Sequence, residues 1–131
     1  NMLRRNLLLG VAGVAVLGVT GCATHPVSVQ QATELPAAQL RTCIKRAAHR
    51  RGWRVVTDEP GKMRIKYVKG PHVLVADVTY DNEGYMIEAV KEGSTLFNKD
   101  GTAHRKVNSW TANLTVTIRE EENKILLRQT N

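Results

Sequence analysis

Two cysteines, four histidines and a run of arginines carry most of the chemistry open to this chain. Cys43 falls in the series Leu40, Cys43, Ile44, Ala47 and Ala48, whose three- and four-residue steps place it on the apolar side of a helix. A thiol beside a histidine can act as a nucleophile, but an apolar setting favours a buried, inert one. His25, His49, His72 and His104 show no metal-ligand spacing, so neither a metal nor another cofactor is expected. Asp77, Asp81 and Glu88 lie on or beside neighbouring strands, where solvent-face charge explains them without a glycosidase pair. Ser94 and Ser109 have no G-x-S-x-G setting, and the expectation is a protein that is not an enzyme. The helix side opposite Cys43 is different. It carries Arg41, Lys45, Arg46 and Arg50, with Arg51 near its end, and these five are the candidate anion-binding residues, since closely spaced cations act together on a multivalent anion.

The elements that must position these groups follow from the pattern on either side. Pro36 suits a first helical turn and Gly52 a C-terminal stop, which bounds the basic helix. Glu59-Pro60-Gly61-Lys62, Lys69-Gly70-Pro71-His72 and Asp81-Asn82-Glu83-Gly84 are three turn signals. They separate β-rich segments at Trp53 to Thr57, Met63 to Val68, Val73 to Tyr80 and Tyr85 to Val90. Such short connections predict antiparallel neighbours and a four-stranded meander. Met63, Ile65 and Tyr67 alternate with Lys62, Arg64 and Lys66, giving one apolar and one positive face and a second basic surface. Further on, Leu114, Val116 and Ile118 alternate with threonines as a strand would, while Val107, Trp110, Leu114 and Ile118 fit a helix.

At the other end, Met2, Arg4 and Arg5 precede an apolar run from about Leu7 to Val19, with small residues before Cys22. A basic start, an apolar stretch of about a dozen residues and small residues at a cut mark a secretory signal peptide, and the run is short of the roughly 20 residues a membrane span needs. Val19-Thr20-Gly21-Cys22 resembles the bacterial lipobox. That resemblance implies removal of residues 1–21, lipid on Cys22 and, with Ala23 following, an address at the outer membrane, lipid-anchored and facing the periplasm. Residues 22–35, polar and small with Pro26, read as a flexible tether, and residues 36–131 as one domain. The whole chain has 19 basic and 12 acidic residues; losing Arg4 and Arg5 leaves 19 − 2 = 17 against 12, a net +5. An exported basic chain meets no nucleic acid, so the expected partners are the membrane itself through the lipid, and an anionic envelope component or an acidic protein. With Cys22 acylated, Cys43 remains alone and no internal disulfide can form.

Gly52-Trp53-Arg54-Val55, the Pro60-Gly61 turn, the stretch from Val78 to Ile87 (V-T-Y-D-N-E-G-Y-M-I) and that from Gly101 to Leu114 (G-T-A-H-R-K-V-N-S-W-T-A-N-L) resemble a group of small uncharacterised bacterial envelope lipoproteins, over about residues 36–119. In that group N-x-W-x-x-N-L opens a final helix, which implies helix here from about Ala103 to Glu122. The expected fold is α+β, a four-stranded antiparallel meander with an N-terminal and a C-terminal helix on one face. The expected role is a membrane-anchored periplasmic binding or adaptor module without catalysis, the alternative being a structural or assembly accessory of an envelope complex.

Overall fold

The computed structural model describes residues 28–130, so the leader, Cys22, Ala23 and His25 lie outside the described residues. In chain order the elements are β1 (Ser28–Ala32), α1 (Ala37–Arg50), β2 (Arg54–Glu59), β3 (Lys62–Lys69), β4 (His72–Tyr80), β5 (Gly84–Val90) and α2 (Arg105–Thr130). The strands form one antiparallel sheet in the order β1-β5-β4-β3-β2. The fold is therefore α+β as expected, but the sheet has five strands and not four.

The meander follows from its turns. Gly61 and Gly70 take φ of 80° and 59°, values that side-chain-bearing residues adopt only with strain. Between β4 and β5, Asp81 Oδ1 accepts from the amides of Glu83 and Gly84 at 2.8 and 3.1 Å, closing an Asx turn. Period-two alternation then sorts the faces. Met63, Ile65, Leu74, Ala76, Val78, Tyr80, Tyr85, Ile87 and Ala89 are buried on one side, and α1 and α2 cover them. α1 contributes Leu40, Cys43, Ile44, Ala47 and Ala48, the series read from the sequence, and α2 contributes Val107, Leu114 and Ile118. Each fully buried Leu, Ile, Val or Met side chain supplies about 1.5–3 kcal/mol.

The fifth strand lies inside the stretch expected to be a tether. Ser28–Ala32 pairs with β5 in unbroken register, Ser28 with Glu88 through Ala32 with Gly84, and Thr33 and Leu35 are buried beyond it. S-V-Q-Q-A offers a single apolar side chain, Val29, so no alternation marks it. What creates its place is Gly84. A Cβ there would lie 2.2 Å from the carbonyl oxygen of Gln31 and 3.1 Å from Ala32 Cα, so only glycine lets β1 approach β5.

α2 runs to Thr130, eight residues past the expected end at Glu122. Its threonines are compatible with helix because their hydroxyls bond back one turn: Thr111 to Val107 O and Thr115 to Thr111 O at 2.9 Å, Thr117 to Asn113 O at 3.0 Å. Trp53 is buried in the core with its ring centroid 5.4 Å from that of Tyr67.

Gly84→Ala should accordingly displace β1 and cost about 1–3 kcal/mol, because the colliding atoms are backbone and cannot swing aside. Thermal unfolding measures this, and a melt unchanged from wild type would contradict the close packing of β1 on β5.

Candidate functional site

α1 and α2 lie antiparallel: Gln129 Nε2 donates to Gln39 Oε1 near one end, and Arg51 Nε donates to Thr117 Oγ1 at 2.7 Å near the other. The five candidate cations thus stand beside carboxylates that the linear sequence kept far away. Arg41 and Lys45 turn to the sheet edge, where Arg41 forks onto both oxygens of Asp58 and Lys45 Nζ sits 3.3 Å from Oδ2. The Arg41 guanidinium holds the Asp58 carboxyl below the usual carboxylate range. Arg50 reaches across to α2, with Nη1 2.9 Å from Glu121 Oε2 and Nη2 3.0 Å from Glu120 Oε1. Lys124 Nζ lies 3.0 Å from that same Glu121 Oε2. Arg46 is exposed and makes no hydrogen bond or ion pair among the described residues.

The five candidate anion-binding residues are not equally available. Arg41, Lys45 and Arg50 are paired, Arg51 is hydrogen-bonded, and Arg46 alone of the five is free. The pairing is incomplete in charge, however. Arg41, Lys45, Arg46, Arg50, Arg51 and Lys124 are six cations around three carboxylates, Asp58, Glu120 and Glu121. Lys45, Arg46, His49, Arg50, Glu121 and Lys124 line an open groove of about 400 Å³ between the helices. Glu121 is the buried group at its floor. Burial alone pushes its carboxyl up, but donation from Lys124 and Arg50 outweighs this and brings it below the usual value, so it stays ionised and fixes two cations side by side.

The second expected basic surface does not survive as such. Arg64 forks onto Asp77 at 2.7 and 2.9 Å, and Lys62 Nζ is 3.7 Å from Asp77 Oδ2, so two cations of the open sheet face share one acid. Asp77 also faces Glu88 in register, and its carboxyl is drawn down by Arg64 first. The third expected cation, Lys66, stands opposite Arg54.

Behind the groove, α2 buries a second carboxylate. Thr33 Oγ1 accepts from the Leu35 amide at 3.2 Å and donates to Glu122 Oε2. Burial raises the Glu122 carboxyl above its ordinary value, against the opposing donation from Thr33. Cys43 faces the same region, its thiol pushed up to about 11 by burial first and by Glu122 and Glu121 next. At neutral pH such a thiol is protonated and does not attack an electrophile.

No spacing in the sequence marks a cluster in which Tyr67 meets Trp110 edge-on at 4.7 Å and His72 lies 6.4 Å from Trp110 and 6.2 Å from His104, centroid to centroid. Its members come from β3, β4, α2 and the residue just before α2, too distant in sequence to form a spacing. His104 Nδ1 accepts from the Lys106 amide at 3.0 Å as an N-terminal cap, which leaves the proton on Nε2. That ring is thereby committed to capping and is a poor metal ligand. Among the described residues no three His, Cys, Asp or Glu are placed to hold a metal ion, and no helix is long and apolar enough to cross a membrane. Compared with protein-family models and with curated protein sequences, the chain matches none.

The buried carboxylate yields a pH prediction. Because the folded-state value of Glu122 is raised, its contribution to stability is complete below the unfolded value of about 4.3 and is lost as pH rises through the folded value. Glu122→Gln keeps an acceptor for Thr33 and removes the ionisation. The melting temperature of the variant relative to wild type should rise between pH 4 and pH 8, and a pH-independent difference would contradict the burial of this charge.

Proposed function

We propose that this protein is a membrane-anchored, non-catalytic module of the bacterial cell envelope that binds an anionic surface through the groove between α1 and α2. The observation that carries the reading is the arrangement at Glu121. One ionised carboxylate holds Arg50 and Lys124 together while Arg46 beside them has no partner among the described residues, so an oxyanion entering the groove meets cations already in place. Pre-positioned charges lose less side-chain freedom on binding than free ones. The lipid that the Val19-Thr20-Gly21-Cys22 stretch calls for would supply the first attachment and the groove the second, each raising the effective concentration of the other. Phosphate groups of anionic lipid are the ligand favoured here; an acidic protein surface presents the same charge and is separated by the experiment. Burial of Cys43, which pushes its thiol up to about 11, argues against this one group as a nucleophile.

Binding of the unlipidated chain to vesicles of phosphatidylglycerol and of phosphatidylcholine tests the reading. Binding should favour the anionic vesicles, fall steeply between 50 and 500 mM salt, and drop about five- to tenfold in Arg46→Glu, a substitution that disturbs no pairing within the protein. Equal binding to both vesicle types, or an unaffected Arg46→Glu chain, removes lipid as the ligand.

A further inference from the structure

The two edges of the sheet are built differently. β2 carries Arg54, Asp58 and Glu59 and breaks register between Val55 and Thr57, features that discourage another strand from pairing with it. β1 has neither charge, proline nor bulge. Its free groups can be located. The Thr33 amide donates to the Glu83 carbonyl at 3.0 Å, so residue 33 faces β5 as a hydrogen-bonded pair. The alternation of an antiparallel ladder then turns residues 29 and 31 toward β5 and directs the N–H and C=O groups of Ser28, Gln30 and Ala32 away from it, to an edge that no strand among the described residues covers. α2 is the helix on this side, since Glu122 takes the hydroxyl of Thr33 directly after β1, and α2 exposes Val116 at 48%.

We infer that this edge pairs two copies of the chain, β1 against β1, antiparallel about a two-fold axis at Gln30. Ser28 of one copy then faces Ala32 of the other, Gln30 faces Gln30, and the outward N–H and C=O groups of each strand find partners in one continuous sheet. A second copy suits this edge better than a charged partner strand, because S-V-Q-Q-A sets no like charges opposite each other when paired with itself. A single five-residue pairing buries far less than the roughly 1,200 Å² typical of a stable complex, so the pair is weak in solution and needs confinement. Here the inference rests on the lipid-anchor reading. From Cys22 to Ser28 is 28 − 22 = 6 residue steps, at most about 20 Å at full extension, so lipid anchors would confine the β1 edges of neighbouring copies to one thin layer above one membrane.

The test uses the full acylated chain in vesicles at low surface density, labelled with donor or acceptor dye through Lys99→Cys, an exposed loop position; the buried Cys43 escapes labelling. Energy transfer should exceed that of randomly distributed chains. Gln30→Pro, which removes an amide not bonded to β5, should return it to the random level without altering the melt. Gln30→Lys, which sets two ammonium groups face to face, should weaken association about fivefold, with recovery in high salt. If the proline variant unfolds, the lysine variant decides. Random transfer in wild type, or transfer unchanged by both substitutions, overturns the inference, as does cross-linking of this edge to a different protein. Intact mass reports acylation separately, and an unacylated chain is tested by sedimentation at high concentration, where the same two variants must shift the association.

Discussion

Two consecutive carboxylates near the middle of α2 fix how the layers of this protein meet. Successive helical residues point about 100° apart, so Glu121 faces α1 while Glu122 faces the sheet. Glu121 accepts from Arg50 and Lys124, and Glu122 accepts from Thr33 at the end of β1. One residue thus ties helix to helix and the next ties helix to edge strand. Both are buried, and both have partners that justify the burial. Their carboxyls shift in opposite directions because Glu121 has two cations as donors and Glu122 a neutral hydroxyl.

The distribution of charge over the surface follows from this arrangement. On the open sheet face Lys62 and Arg64 meet Asp77, and the strand patch is largely neutralised. On the helical face six cations surround three carboxylates, and the excess collects around the groove. The apolar side of the sheet is fully occupied by the helices. Of the surfaces left to meet a partner, the groove offers charge held in place, and the β1 edge offers backbone that no strand among the described residues pairs.

Much of this was legible in the residues. The period of 3.6 in Leu40 to Ala48 and the period of two in β3 and β4 located α1, the meander and the buried position of Cys43. β1 was not legible, because a neutral strand with one apolar residue looks like a linker, and its place depends on Gly84, some fifty residues away. In α2, the alternation of Leu114, Val116 and Ile118 with threonines imitated a strand; Val116 proves exposed, and the threonine hydroxyls are satisfied within the helix. The basic residues of α1 were legible as one side of the helix, but their pairing was not. Their partners Asp58, Glu120 and Glu121 come from other elements, and only the antiparallel packing of the helices brings them close.

The central claim is that Glu121 and its cations make the groove an anion site. Backbone and side-chain NMR of the labelled chain, titrated with short-chain phosphatidylglycerol below its micelle concentration, addresses it most directly. The account predicts saturable shifts confined to Lys45, Arg46, His49, Arg50 and Lys124. Shifts centred on Arg54 and Lys66 of the open sheet face, or no saturable shift at the groove, would contradict it.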